Sequence, residues 1–150
     1  MGREKGLSVL RVFVACWVIV STLPMSAQTP QAPRTIVKGD QSNVDDAKQV
    51  VVRTEAEWAQ LWRQHAGDRP RPPIDFTRES VVAVFMGSRP NAGFSTAIVS
   101  ATEGGGALMV RYSETKPARG AVAAQVLTSP YHIVAIPKAT AADVKFEKVQ

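Results

Sequence analysis

The run Val81-Val82-Ala83-Val84-Phe85-Met86 is apolar at every position. Successive side chains of a strand point to opposite faces, so a strand with one wet face alternates apolar and polar residues. A short run with no polar member fits a strand covered on both faces. Gly87 ends it. Ser88 to Ala92 are turn-forming residues, and Gly93 precedes a second β-like run, Phe94 to Ala101.

The rest of the chain reads as short elements separated by turns. Thr35-Ile36-Val37 is a short strand, Gly39 to Ala47 is polar and turn-like, and Gln49 to Arg53 holds three consecutive valines. Thr54-Glu55-Ala56-Glu57 is a capping box, in which the threonine hydroxyl and the second glutamate each satisfy a free amide of a helix start. Trp58, Leu61, Trp62 and His65 follow at i, i+3, i+4 and i+7, one helical face, and Gly67 terminates it. Asp68 to Pro73 is too proline-rich for a helix or a central strand and reads as a stiff crossing segment. Gly104-Gly105-Gly106 is a turn. Leu108, Val110 and Tyr112 alternate with Met109, Arg111 and Ser113, the cleanest period-two segment. Lys116 to Gly120 is a loop. Val122 to Leu127, Tyr131 to Ile136 and Val144 to Val149 read as further strands. One helix before a series of strands at hairpin spacing predicts an α+β fold: an antiparallel meander with the tryptophan-bearing helix packed on the sheet.

Arg3, Lys5 and Arg11, then an apolar stretch Val12 to Val20, then small residues ending at Ala27 form the layout of a secretory signal peptide. The apolar stretch is short of the roughly 20 residues of a membrane span. Cleavage is expected near Ala27, with an uncleaved anchor as the alternative. Cys16, the only cysteine, lies inside the apolar stretch rather than after it, which speaks against lipidation. The expected organisation is a signal peptide over 1–27, a linker over 28–34 and one domain over 35–150, exported to the periplasm or the exterior and free of disulfides. Loss of the leader lowers the net charge from +5 to +3. With no run of cations interleaved with aromatics, nucleic acid is not an expected partner.

Catalytic patterns are scarce. His65 and His132 belong to no close metal-ligand spacing, and no metal or cofactor is expected. Ser95, Ser129, Asp75 and His132 make a triad only on paper, for there is no strained nucleophile elbow. The triple glycine lacks the lysine and helix of a phosphate loop.

Three segments together resemble the PrcB C-terminal domain family over about 82–138: "VAVFMGSRPNAGFSTAIV" (Val82 to Val99), "LMVRYSETKPARG" (Leu108 to Gly120) and "VLTSPYHIVAIPK" (Val126 to Lys138). Ser-Pro-Tyr-His followed by aliphatics is the most specific part. The family is named for a subunit of a surface-associated bacterial protease complex. The resemblance implies an exported, non-catalytic accessory domain that contacts a protease or another cell-envelope protein. Ala92-Gly93-Phe94 departs from the Gly-Gly-Tyr expected after the turn. A fainter likeness of "RPNAGF" to loops of immunoglobulin-like cysteine-protease inhibitors keeps a protease-inhibitor module as an alternative, with a small hydrolase behind it.

In a meander, the Arg89-Pro90-Asn91 loop and the loop from Lys116 to Arg119 lie at the same end of the sheet. Pro90 presets a turn dihedral, and Gly93 is expected to take a positive φ. Arg89, Pro90, Asn91, Lys116 and Arg119 are therefore the candidate rim for an acidic partner segment.

Overall fold

The computed structural model describes residues 32–150. The signal peptide, Cys16, the cleavage point near Ala27 and most of the 28–34 linker lie outside the described residues. The elements are β1 (Arg34–Gly39), β2 (Lys48–Val52), α1 (Glu55–Ala66), β3 (Glu79–Phe85), β4 (Ser95–Gly104), β5 (Ala107–Thr115), β6 (Tyr131–Pro137) and β7 (Asp143–Val149). β1 thus takes in Arg34, the last residue of the expected linker, and Arg34 forms a two-pronged ion pair with Glu79 (2.9 and 3.0 Å).

The fold is α+β, but it is not a single meander. Its strands form two sheets, one ordered β1-β6-β3-β2 and the other β4-β5-β7. The first is antiparallel throughout. In the second, β4 and β5 form an antiparallel hairpin and β7 lies parallel to β5. The expected β3–β4 pairing is absent because both edges of β3 are taken, by β2 on one side and β6 on the other. At the end of β3, Gly87 (φ 75°) turns the chain away, and the Ser88 amide donates to Asp45 O (2.8 Å). Val122 to Leu127 is not a strand of either sheet. The edges of β5 and β3 that it could have joined are taken by β7 and β6, and the chain beyond it bridges Arg89 through Thr128 instead.

The apolar run of β3 is buried on both sides. Val81, Ala83 and Phe85, with Tyr131 and Ile133 of β6, pack against Trp58, Leu61, Trp62 and Ala66 of α1. Val82 and Val84, with Val134 and Ile136, pack against Ile98, Leu108, Val110 and Tyr112 of the second sheet. The result is three layers: helix, central sheet, outer sheet.

Local chemistry supports the helix layer. The Thr54–Glu57 capping box forms, and Gly67 closes the helix at φ 62°. The Glu57 carboxyl is held below its usual range, chiefly by the Arg53 amide donating to it (2.8 Å). The proline-rich crossing segment supplies acceptors for the buried indoles: Trp58 Nε1 donates to Pro72 O (3.0 Å) and Trp62 Nε1 to Arg69 O (2.8 Å). Proline carbonyls remain acceptors even though proline lacks an amide donor.

Trp58 is fully buried. Trp58→Ala should lower unfolding free energy by about 3–5 kcal/mol in urea titration. Gly87 should also be intolerant: a Cβ there would lie 2.7 Å from Asp45 O and 2.8 Å from Ala47 N, both backbone atoms. Gly87→Ala therefore combines steric overlap with an unfavourable φ and should lower the melting temperature more than Gly104→Ala, where a Cβ meets nothing.

Candidate functional site

The β4–β5 register pairs Ser95 with Thr115. It thereby brings the loop entering β4 beside the loop leaving β5. The two touch where a Gly93 Cβ would lie, 2.3 Å from Pro117 Cγ. So the two loops are neighbours, though the cause is the β4–β5 hairpin rather than a meander that includes β3. Gly93 does not have a positive φ; that conformation belongs to Gly87. Glycine at 93 serves to admit the Pro117 ring.

The five rim residues divide into two kinds. Asn91 is used internally: its Oδ1 accepts from the Gly93 amide (3.0 Å), and its carbonyl accepts from Thr128 Oγ1 (2.9 Å). Arg89 exchanges backbone hydrogen bonds with Thr128 (2.7 and 2.9 Å). Its guanidinium lies over the Phe94 ring, 5.8 Å from the centroid, and its Nε is buried without a hydrogen-bond partner. Half-buried and engaged, Arg89 is a poor free cation. Pro90, Lys116 and Arg119 are exposed. The loop that carried the inhibitor likeness is thus tied down by Thr128 and Pro117.

Both histidines are interior. Ser42 Oγ accepts from the Val44 amide (3.1 Å) and is hydrogen-bonded to His65 Nδ1 (2.8 Å). The His65 ring packs among Trp62, Phe85 and Tyr131, with centroids 5.3, 5.7 and 4.2 Å away. His132 links the two sheets. Beside a bulge at Val99 in β4, the Ile98 amide donates to His132 Nδ1 (2.8 Å). The neutral ring therefore carries its proton on Nε2, which donates to Thr35 Oγ1 (2.9 Å). Burial, with Arg69 adding a smaller repulsion, pushes His65 down to about 4. Burial, with Lys38 adding to it, does the same for His132.

The residues of the paper triad are not assembled. Ser129 Oγ donates to Val44 O (2.6 Å), and Asp75 Oδ1 accepts from the Thr77 amide (3.0 Å) and hydroxyl (2.5 Å). Ser95 lies exposed at the start of β4, paired opposite Thr115. Sequence reading did not anticipate an open cavity of about 490 Å³ lined by Arg34, Asp75, Arg78, Glu79, Ile136 and Pro137. Its residues come from distant segments, and Arg34, Glu79 and Asp75 are already bonded within the protein. A second cleft of about 190 Å³ runs between β2 and α1. Among the described residues no cluster of histidine, cysteine and carboxylates is suited to a metal ion, and no helix is long and apolar enough to cross a membrane.

The molecule is, in class, an α+β domain with a sheet enclosed between a helix and a second sheet. Within it, residues 80–137, from the start of β3 to the end of β6, match the model of the PrcB C-terminal family. Neither a curated protein nor a solved structure matches the chain. The matched segment includes Ser129-Pro130-Tyr131-His132, and each of these residues has a structural task. Ser129 ties down Val44, the Pro130 carbonyl accepts from the Met86 amide (2.8 Å), Tyr131 fills the helix-side core, and His132 joins the sheets.

The histidines define a pH dependence. Their folded-state values lie below the ordinary 6.5, so the unfolded chain binds more protons between the two values. Stability present above pH 6.5 should fall as the pH drops and be exhausted near 4, by about 1.4 kcal/mol per pH unit for each histidine. Denaturant titrations between about pH 7 and pH 5.5, above the range where the carboxylates titrate, should show the onset of this slope, and His132→Gln should halve it.

Proposed function

We propose that the chain is an exported, non-catalytic accessory domain that binds a protease or another cell-envelope protein through the rim beside Gly93. Support comes from the PrcB C-terminal match over 80–137 and from the signal-peptide layout of the first 27 residues. The observation that carries the binding surface is the exposure of Lys116 and Arg119 on a loop whose Pro117 is seated against Gly93. A loop stiffened in this way loses little freedom on binding, and exposed cations on it select an acidic partner surface. Arg89 contributes by holding Phe94 and Thr128 rather than by presenting its charge.

Lys116→Glu with Arg119→Glu should leave the melting temperature nearly unchanged, because both side chains are exposed. It should weaken capture of the partner from the cell-envelope fraction and reduce the salt sensitivity of that capture. Undiminished capture with the same salt response would overturn the rim. N-terminal sequencing of the native protein should begin at Gln28; an intact Met1 start in the cytoplasmic fraction would overturn export.

A further inference from the structure

Ala121–Leu127 is strand-like in composition but has no place in either sheet. One side of its end is already used. Thr128 bridges antiparallel to Arg89, and the Ala92 amide donates to Ala124 O (3.0 Å), so this stretch runs alongside 89–92 as the start of a ribbon. The remaining side is open. Ala124 and Thr128 face 89–92 and the Val126 amide is turned to Ala124 O (2.9 Å), so the other side is that of Ala123, Gln125 and Leu127, whose amides find no backbone acceptor among the described residues. The side chains are open too: Val122 is 103 % exposed, Leu127 71 % and Val126 51 %. No other stretch of the described residues leaves so many large aliphatics in water; Val99 is the only other one.

The surrounding charge is of one sign. No aspartate or glutamate occurs between Lys116 and Ala142, while Lys116 and Arg119 are exposed just ahead of the segment. The nearest acid in sequence, Glu114, is engaged by Lys148.

Three occupants compete for such an edge. A second copy paired through this edge would bring no carboxylate to Lys116 and Arg119, since the sequence from 116 to 142 has none. A lipid surface would receive the aliphatics but offer no acceptor to the open amides within its hydrocarbon. An apolar helix needs a groove, and neither cavity is lined by this segment. An extended segment of another protein meets all three requirements, with carbonyls for the amides, aliphatics for the valines and leucine, and carboxylates for the cations.

We infer that Ala121–Leu127 is a docking edge on which an extended, acidic and aliphatic segment of a partner protein adds as a β-strand. The inference rests on the accessory-domain reading and specifies what the partner presents. The test titrates the purified chain with a synthetic peptide of alternating valine and glutamate. The controls are a valine–lysine peptide and phosphatidylglycerol vesicles, and amide exchange is followed by NMR. The valine–glutamate peptide should slow exchange at Ala123 and Gln125. Its affinity should fall about tenfold in Lys116→Glu/Arg119→Glu and again in Val122→Asp/Val126→Asp. The valine–lysine peptide and the vesicles should not bind. Binding of vesicles in place of the peptide, protection at β2 or β7 instead, or self-association through this edge would each overturn the inference. If Val122→Asp/Val126→Asp captures the native partner in full while the Lys116/Arg119 reversal does not, the docking edge falls and the accessory reading stands. If neither variant reduces capture, both fall.

Discussion

Everything in this molecule is organised by the double burial of β3 and β6. Each has alternate residues in two different cores: Val81, Ala83 and Phe85 face the helix, and Val82 and Val84 face the outer sheet. Neither layer is dispensable under that arrangement. Removing the helix would expose one set of side chains, and removing the β4-β5-β7 sheet would expose the other. Full burial of each such side chain is worth about 1.5–3 kcal/mol, so the central strands hold both outer layers in place.

Polar groups fix how the layers sit. On the helix side the indole N–H groups and His65 each find a specific partner, and those partners lie in irregular segments rather than in the sheet. On the other side His132 receives the Ile98 amide and reaches Thr35, so one imidazole connects β6 to β4 and to β1. A buried polar group is costly unless satisfied, which makes such contacts selective for one packing. The Ser-Pro-Tyr-His stretch, the most specific part of the family likeness, is explained by these duties of packing and hydrogen bonding.

Much of this was legible in the chain. The capping box, the Trp58/Leu61/Trp62 stripe and the uninterrupted apolar run of Val81–Met86 are local signals, and each reports a local cause. The sheet order was not legible, because pairing β3 with β6 and β5 with β7 depends on contacts between distant segments. Hairpin spacing favoured β3–β4, and only the competition of β2 and β6 for β3 excludes it. Ala121–Leu127 was misread for a related reason: strand composition does not say whether a neighbour is free. At the rim, loop adjacency was foreseen through Arg89 and Lys116. The engagement of Arg89 with Phe94 was not, since nothing in an isolated arginine marks its side chain as occupied.

The sheet order has a consequence for how the chain comes to be folded. β1 pairs with β6, so that Arg34 lies opposite Ala135, and the outer sheet is completed by the last strand, β7. The first sheet cannot be completed before β6 has been made, nor the second before β7. Topologies dominated by distant pairings form slowly, since the closure entropy of long loops precedes the contacts that compensate it. A chain of this design keeps both sheets incomplete until β6 and β7 have been made, and an incomplete sheet leaves part of the apolar core in water until then.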